Sequence, residues 1–206
     1  MTVIDSLYQA EDGHVLIEMK LSSVAELFNS LDPAPFHKKE LDVDAEDYIV
    51  DTVNDFSQKT EFKIIIYLPD EFLGTRDAQE IPRAIKSHFE YKALTQRRNF
   101  RRRFVYGEFA LVIGLSFLAV ATIVSTAIDS YSGGYPVAHF VANALEIMGW
   151  VAMWEPVTVF LFQLWPIVKD RKIYEMISRM EICIRSYPKV PLWPPEIQVK
   201  APRKNP

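Results

Sequence analysis

Cysteine is almost absent from this chain of 206 residues, with Cys183 as its single example. One cysteine excludes a disulfide framework and a cysteine-based metal site. Lysine and arginine are absent from residues 104–168, which hold only four acidic residues. The mean hydropathy of zero therefore averages an apolar middle and charged flanks. This segregation argues against a purely soluble protein and favours a membrane protein.

The sequence motifs of common enzymes are missing as well. No glycine-rich phosphate loop, GxSxG or CxxC motif occurs, and the four histidines lack the spacing of metal ligands. The acidic residues 42–47 resemble half of a calcium loop but lack its central glycine and distal glutamate, so we interpret them as charge at a helix start. We therefore expect no metal, no cofactor and no catalytic residues. Residues 1–13 are acidic and polar, which predicts no secretory signal.

The charges divide the chain into successive segments. Residues 1–60 hold 13 acidic and 4 basic residues, whereas 169–206 hold 4 and 9. We predict an α+β membrane protein whose segments are a cytosolic α/β domain (1–96), a basic collar (97–104), a first transmembrane helix (105–128), an extracytoplasmic loop (129–136), a second transmembrane helix (137–165), and a cytosolic helix with a basic, proline-rich tail (166–206). The first span measures about 36 Å and the second about 43 Å, so the second must tilt, kink or break.

The basic residues also predict an orientation. Arg97, Arg98, Arg101, Arg102 and Arg103 precede the first span, bases follow the second, and the connecting loop has none. The positive-inside rule then predicts a two-pass protein of the inner (plasma) membrane with both termini in the cytoplasm. The collar is expected to contact lipid headgroups rather than nucleic acid. The alternative is a helical hairpin buried in a soluble core.

The front domain should combine strands and helices. We predict strands at 14–21 and 61–68, and a further strand at 2–9 paired through the Asp12-Gly13 turn. Helices are expected at 24–31, from Asp44 to Phe56, and from Asp77 without interruption into the first span. Cys183 is expected as a packed thiol near a helix end. The proline-rich segment 188–199 is predicted to cover an exposed sheet edge.

Glu155 is a carboxyl group within the second apolar run, about 20 Å from either water phase in a straight helix. Three interpretations stay open. A protonated Glu155 donates to the Ala152 carbonyl, which Pro156 leaves without its amide partner. Alternatively the helix breaks at 155–156, and Glu155 lies near the cytoplasmic interface. Otherwise Glu155 is functional and pairs with a base of a partner or binds a proton or cation.

Glu146 lies nine residues before Glu155, so the two carboxyl groups leave a straight helix on opposite faces. Asn143 and Glu146 are predicted to share a face with Ala142 and Gly149. Because a two-helix hairpin buries one face only, one carboxyl group needs another protein or a copy of this chain.

Small residues form a stripe along the first span, namely Gly107, Ala110, Gly114 and Ala121. Such a stripe allows helices to approach closely. We favour packing against the second span of the same chain over contact with another protein.

Two segments resemble small bacterial two-pass membrane proteins that have a cytosolic front domain. They are residues 31–42 (LDPAPFHKKELD) and 149–156 (GWVAMWEP). The resemblance implies the architecture predicted above. No activity is assigned to such proteins, so it implies no catalytic residues.

The leading hypothesis is a non-enzymatic inner-membrane accessory or scaffold protein. Its acidic domain would dock a cytosolic protein, and its hairpin would join other membrane subunits or further copies of the chain. One alternative is a small ion- or proton-coupled transport subunit that uses Glu155, and another is a membrane-bound enzyme with a cytosolic site.

Overall fold

The computed structural model describes residues 8–34, 39–57 and 60–187, which form a mixed α+β fold. The chain divides into two compact units. The first, here called the sheet unit, contains the residues up to His88 and those from Ser178 onward. The second, here called the hairpin unit, runs from Phe89 to Ile177.

The sheet unit is built on four strands in the order β1-β2-β3-β4, namely β1 (Ala10–Glu11), β2 (His14–Lys20), β3 (Phe62–Leu68) and β4 (Glu181–Ser186). β1 pairs antiparallel with β2, whereas β3 is parallel to both of its neighbours. Asp12 and Gly13 have φ angles of 53° and 85°, as a tight hairpin with Asp-Gly in its turn requires. The predicted strands at 14–21 and 61–68 are thus confirmed to within one residue at each end. Most of the predicted strand at 2–9 lies outside the described residues.

β4 was not foreseen from the sequence. Ile182, Cys183 and Ile184 lie in a strand parallel to β3, and not near a helix end. The neighbour of β3 on this side is therefore β4, whereas the proline-rich segment 188–199 lies outside the described residues. β-branched residues at alternate positions were the available signal, but the preceding helix dominated the interpretation of this region.

α1 (Val43–Asn54), the start of the following long helix and two 3₁₀ turns, Val24–Leu27 and Asp70–Phe72, complete the described part of the sheet unit. α1 begins where Asp42 accepts a hydrogen bond from the Asp44 amide, so the acidic residues 42–47 do mark a helix start. Val24–Leu27 forms only a 3₁₀ turn, so the helix predicted at 24–31 is wrong. The fully buried core residues come from strands and helices alike: Ile17, Ile49, Ile64, Ile66, Leu68, Ile81 and Ile85.

His88 links three parts of the sheet unit. Its Nδ1 accepts a hydrogen bond from the Leu41 amide at 3.3 Å, and its Nε2 lies 2.9 Å from Glu46 Oε2 in α1. Because a backbone N–H can only donate, the proton of neutral His88 must lie on Nε2 and point to Glu46. His88 lies in the long helix that follows β3 in the chain. Its buried imidazole therefore connects that helix to α1 and to Leu41, just before α1.

That long helix, α2 (Arg76–Tyr131), is continuous over 56 residues, which confirms the uninterrupted helix predicted from Asp77. α2 ends three residues after residue 128, where the first span was predicted to end. α3 (Pro136–Ala152) then starts with proline in its first turn, where a missing amide costs nothing. The loop between these helices is thus confined to 132–135, shorter than the predicted 129–136, and contains Gly133 and Gly134 at positive φ.

The second apolar run is helical but irregular. α3 is followed by α4 (Trp154–Thr158), a π-helical segment (Val159–Gln163) and α5 (Leu164–Ile177). The irregularities lie at Met153 and at the π-helical segment, so the predicted interruption falls two residues before Glu155. A π-helical segment contains more residues per turn than an α-helix, and it often marks a functional site.

Candidate functional site

Close packing between α2 and the second apolar run shapes the hairpin unit. A Cβ atom on Gly107 would lie 2.9 Å from Val159 Cγ1, and one on Gly114 would lie 3.0 Å from the Ala152 carbonyl oxygen. From the other side, a Cβ on Gly149 would lie 3.0 Å from Leu118 Cδ1. The small residues therefore lie where the helices of one chain approach each other most closely.

The remaining members of the predicted stripe also line this contact side. Ala121 is buried and Ala110 is half-buried. Ser125, one turn beyond Ala121, is buried as well and extends the stripe. Ser125 was not predicted, because its hydroxyl group sets it apart from the glycine and alanine residues that defined the stripe.

Glu155 pairs with a residue that the sequence did not single out. The Tyr106 hydroxyl donates to Glu155 Oε1 at 3.0 Å, and the Tyr106 ring lies 5.8 Å from the guanidinium carbon of Arg103. Tyr106 thus connects Glu155 to Arg103 of the basic collar. The number of residues between Glu155 and Lys169 therefore overstates how far Glu155 lies from a basic side chain. A tyrosine directly after an arginine cluster at the start of a span was the available signal.

The surroundings of Pro156 differ from those expected if a protonated Glu155 donated to the Ala152 carbonyl. Pro156 is buried, and the Ala152 carbonyl lies against Gly114. Glu155 acts as an acceptor from Tyr106, whereas the predicted interaction made it a donor to Ala152. The missing amide of Pro156 coincides with the irregular residue Met153, whose carbonyl accepts from the Val157 amide at 3.4 Å.

Asn143 and Glu146 lie on the outer side of α3. Both are exposed, whereas Ala142 and Gly149 are buried. The four residues predicted to share one face of the helix therefore lie partly against the rest of the chain and partly on its outer surface. Within the described part of the chain, neither the Asn143 side chain nor the Glu146 side chain makes a hydrogen bond or an ion pair. One of the two carboxyl groups in this run therefore has an intrachain partner, and the other has none there.

The sheet unit carries an acidic cleft beside the ends of β2 and α1. Its lining includes Glu18, Glu26, Asp42 and Asp44 together with Lys20 and Tyr48, around a volume of about 410 Å³. The Tyr48 hydroxyl donates to the Glu18 carbonyl, and burial raises the pKa of Tyr48. No group of three metal-ligating side chains occurs among the residues that the structure describes.

Cys183 is a packed thiol in a charged setting. Its Sγ donates to Glu181 Oε1 at 3.3 Å, and burial raises the pKa of the Cys183 thiol. The neighbouring Lys63 lies 3.1 Å from Glu181, and the hydrogen bond between them lowers the pKa of that carboxyl group. A raised thiol pKa favours the protonated, weakly nucleophilic form.

Comparison with known proteins gives no match. No family model matches this chain, and no curated protein and no solved structure is significantly similar to it. The resemblance of residues 31–42 and 149–156 to two-pass membrane proteins therefore assigns no role to any residue. The observations that can support a proposed function are therefore the geometry and the charge distribution of the chain itself.

Proposed function

We propose that this protein is a non-enzymatic accessory or scaffold protein that spans the inner membrane twice. One observation carries the membrane part of the proposal. Two helices are long and apolar enough to cross a membrane, and only 17% of the most apolar window of each is buried within the chain. The core helices of a soluble protein would be mostly buried, whereas lipid would cover such an outer surface.

The charge distribution supports the orientation. All five arginines of the collar are exposed on α2, and Lys169, Arg171 and Lys172 follow the second apolar run. The loop at 132–135 has no charged residue. Both termini would then lie in the cytoplasm.

Single cysteines test this topology. In a Cys183→Ser background, one variant carries Tyr131→Cys beside the loop, and its matched control carries Glu71→Cys in the sheet unit; both positions are exposed. In spheroplasts, we expect a membrane-impermeant maleimide to label position 131, and position 71 only after lysis. Labelling of both positions only after lysis, or release of the protein by alkaline carbonate, would contradict the proposed topology.

The proposed partners follow from two surfaces. The acidic cleft of the sheet unit suits a basic segment of a cytosolic protein, because its lining includes four acidic side chains and one lysine. Asn143 and Glu146 suit a polar contact with another membrane subunit or a copy of this chain, since a carboxyl group in lipid without a partner is costly.

The assembly is tested by the mass and composition of the tagged protein, extracted from its own membrane in mild detergent. We expect a defined complex, which Glu146→Gln weakens. Glu155→Gln is the matched control, because Glu155 already has an intrachain partner and glutamine can still accept from Tyr106. A monomer for the unmodified protein would contradict the proposed assembly.

A second candidate function is an ion- or proton-coupled transport subunit that uses Glu155. The observation in its favour is a carboxyl group bonded to a tyrosine hydroxyl within an apolar run. Loss of a proton or cation flux in Glu155→Gln, with the complex intact, would favour transport over the scaffold role.

A further inference from the structure

The hairpin unit contains an open cleft beside the basic collar, near the middle of α2. Five polar side chains of α2 and one apolar side chain of α5 line a volume of about 400 Å³: Gln96, Asn99, Arg102, Arg103, Tyr106 and Ile167. The lining contains two guanidinium groups and no carboxylate. Of the five arginines in the collar, only Arg102 and Arg103 belong to it.

We propose that this cleft binds the phosphate group of an anionic phospholipid headgroup. A guanidinium group presents its N–H donors in a planar fork that matches two phosphate oxygens. Asn99 and Gln96 add amide groups to the same lining, whereas the Tyr106 hydroxyl donates its one proton to Glu155 and contributes only its ring and its oxygen. Such a set recognises a phosphate through directed hydrogen bonds as well as through charge.

Internal contacts hold part of this lining in place. The Asn99 side-chain amide donates to Gln96 Oε1 at 3.3 Å. The guanidinium group of Arg103 lies over the ring of Tyr106, whose hydroxyl donates to Glu155 in α4. A side chain that is already held loses less conformational freedom on binding. Glu155 thereby becomes a positioning residue for the cleft.

The location of the cleft favours a lipid over a soluble phosphate compound. Arg103 precedes the predicted start of the first span by two residues, and Ile167 provides an apolar wall beside the arginines. If the two helices span the bilayer, the cleft lies at the level of the headgroups. The inference thus rests on the proposed membrane insertion.

Native mass spectrometry of the full chain, released from nanodiscs that contain phosphatidylglycerol and phosphatidylcholine, tests this site. We expect selective retention of phosphatidylglycerol and about a tenfold loss of its affinity in Arg102→Gln/Arg103→Gln. The matched control, Arg97→Gln/Arg98→Gln, removes the same charge from the same collar outside the cleft. It should change the affinity less than about twofold.

Three outcomes would overturn the inference. Equal losses in the two double variants would indicate diffuse attraction to the collar, and no selectivity in the unmodified protein would indicate that no anionic lipid site exists. Displacement of the lipid by millimolar glycerol phosphate would assign the cleft to a soluble ligand. Alkaline carbonate extraction of the same proteins separates the two proposals, because a chain that stays in the membrane without lipid selectivity refutes the cleft alone.

Discussion

The hairpin unit exposes many large apolar side chains, whereas the sheet unit exposes few. In the sheet unit, Ile66 is fully buried, whereas Ile123 of the hairpin unit is 68% exposed. The hairpin unit instead buries small residues, such as Gly114 and Ala121, at its helix contact. Water drives large apolar side chains inward in the first unit, while in lipid close backbone packing becomes the main source of helix association. The proposed membrane insertion would account for this contrast, because it gives the two units different solvents.

The largest expected effect comes from exchanging one isoleucine in each unit. Ile66→Ala should lower the free energy of unfolding of the sheet unit by about 2–5 kcal/mol, because it removes transfer energy and leaves a cavity. Ile123→Ala should cost well under about 1 kcal/mol if lipid surrounds that side chain. Urea titration in detergent, followed by protease sensitivity of each unit, measures both. Similar losses for the two variants would contradict the proposed difference in solvent.

A methyl group at the helix contact should have the next largest effect. Gly114→Ala places Cβ 3.0 Å from the Ala152 carbonyl oxygen, a backbone atom that yields little. We expect overpacking to destabilise the hairpin by about 1–3 kcal/mol. Gly74→Ala is the control, since nothing lies within 4 Å of its Cβ position. Thermal unfolding in detergent, followed by circular dichroism, compares them, and an unchanged midpoint for Gly114→Ala would argue against close helix packing.

Each unit also contains a histidine beside a carboxylate, and the two pairs should differ in strength. His88→Ala removes the acceptor of the Leu41 amide and the partner of Glu46 from a buried site, which should cost about 1–3 kcal/mol. His139 lies 3.2 Å from Asp129, but its side chain is 67% exposed, so His139→Ala should cost about 0–1 kcal/mol. Thermal midpoints at neutral pH measure both losses. An equal effect would show that the burial of His88 contributes little.

Local patterns in the sequence predicted much of the fold. Short runs of strand-favouring residues and turn chemistry were sufficient for β2, β3 and the Asp12-Gly13 turn, and hydrophobic length was sufficient for the two long apolar helices. β4 had a local strand signal in Ile182 and Ile184, but its pairing with β3, which precedes it by more than a hundred residues, could not be predicted from that signal. No local signal specifies such a pairing.

The candidate sites, like the fold, could be predicted from the sequence only where the signal lies within one local segment, such as a single helix. The stripe with Gly107 and Gly114 could be found from spacing alone, because a regular helix determines which residues share a face. The partner of Glu155 could not, since Tyr106 lies on another helix, 49 residues earlier in the chain. Contacts between distant segments depend on packing geometry that one sequence does not reveal.

The smallest expected effect concerns acid sensitivity of the sheet unit. Hydrogen bonds from the Glu40 and Ala34 amides lower the pKa of Asp32 below its ordinary value of 3.8, and Lys63 lowers that of Glu181 below 4.5. A carboxyl group with a lowered pKa in the folded state stabilises above the unfolded pKa, and this stability is lost as pH falls through the folded value. The sheet unit should therefore lose stability progressively below about pH 4.5.

Asp32→Asn with Glu181→Gln tests this acid dependence, because amides do not titrate. Glu181 is exposed and Asp32 is half-buried, so we expect the double variant to lower the thermal midpoint only slightly at about pH 6 and to show a shallower fall towards about pH 3. Arg171→Gln is a suitable control, since it disrupts a half-buried pair within one helix of the hairpin unit and changes neither carboxylate. If the double variant loses as much stability in acid as the unmodified protein, other carboxyl groups must carry the acid response of the sheet unit.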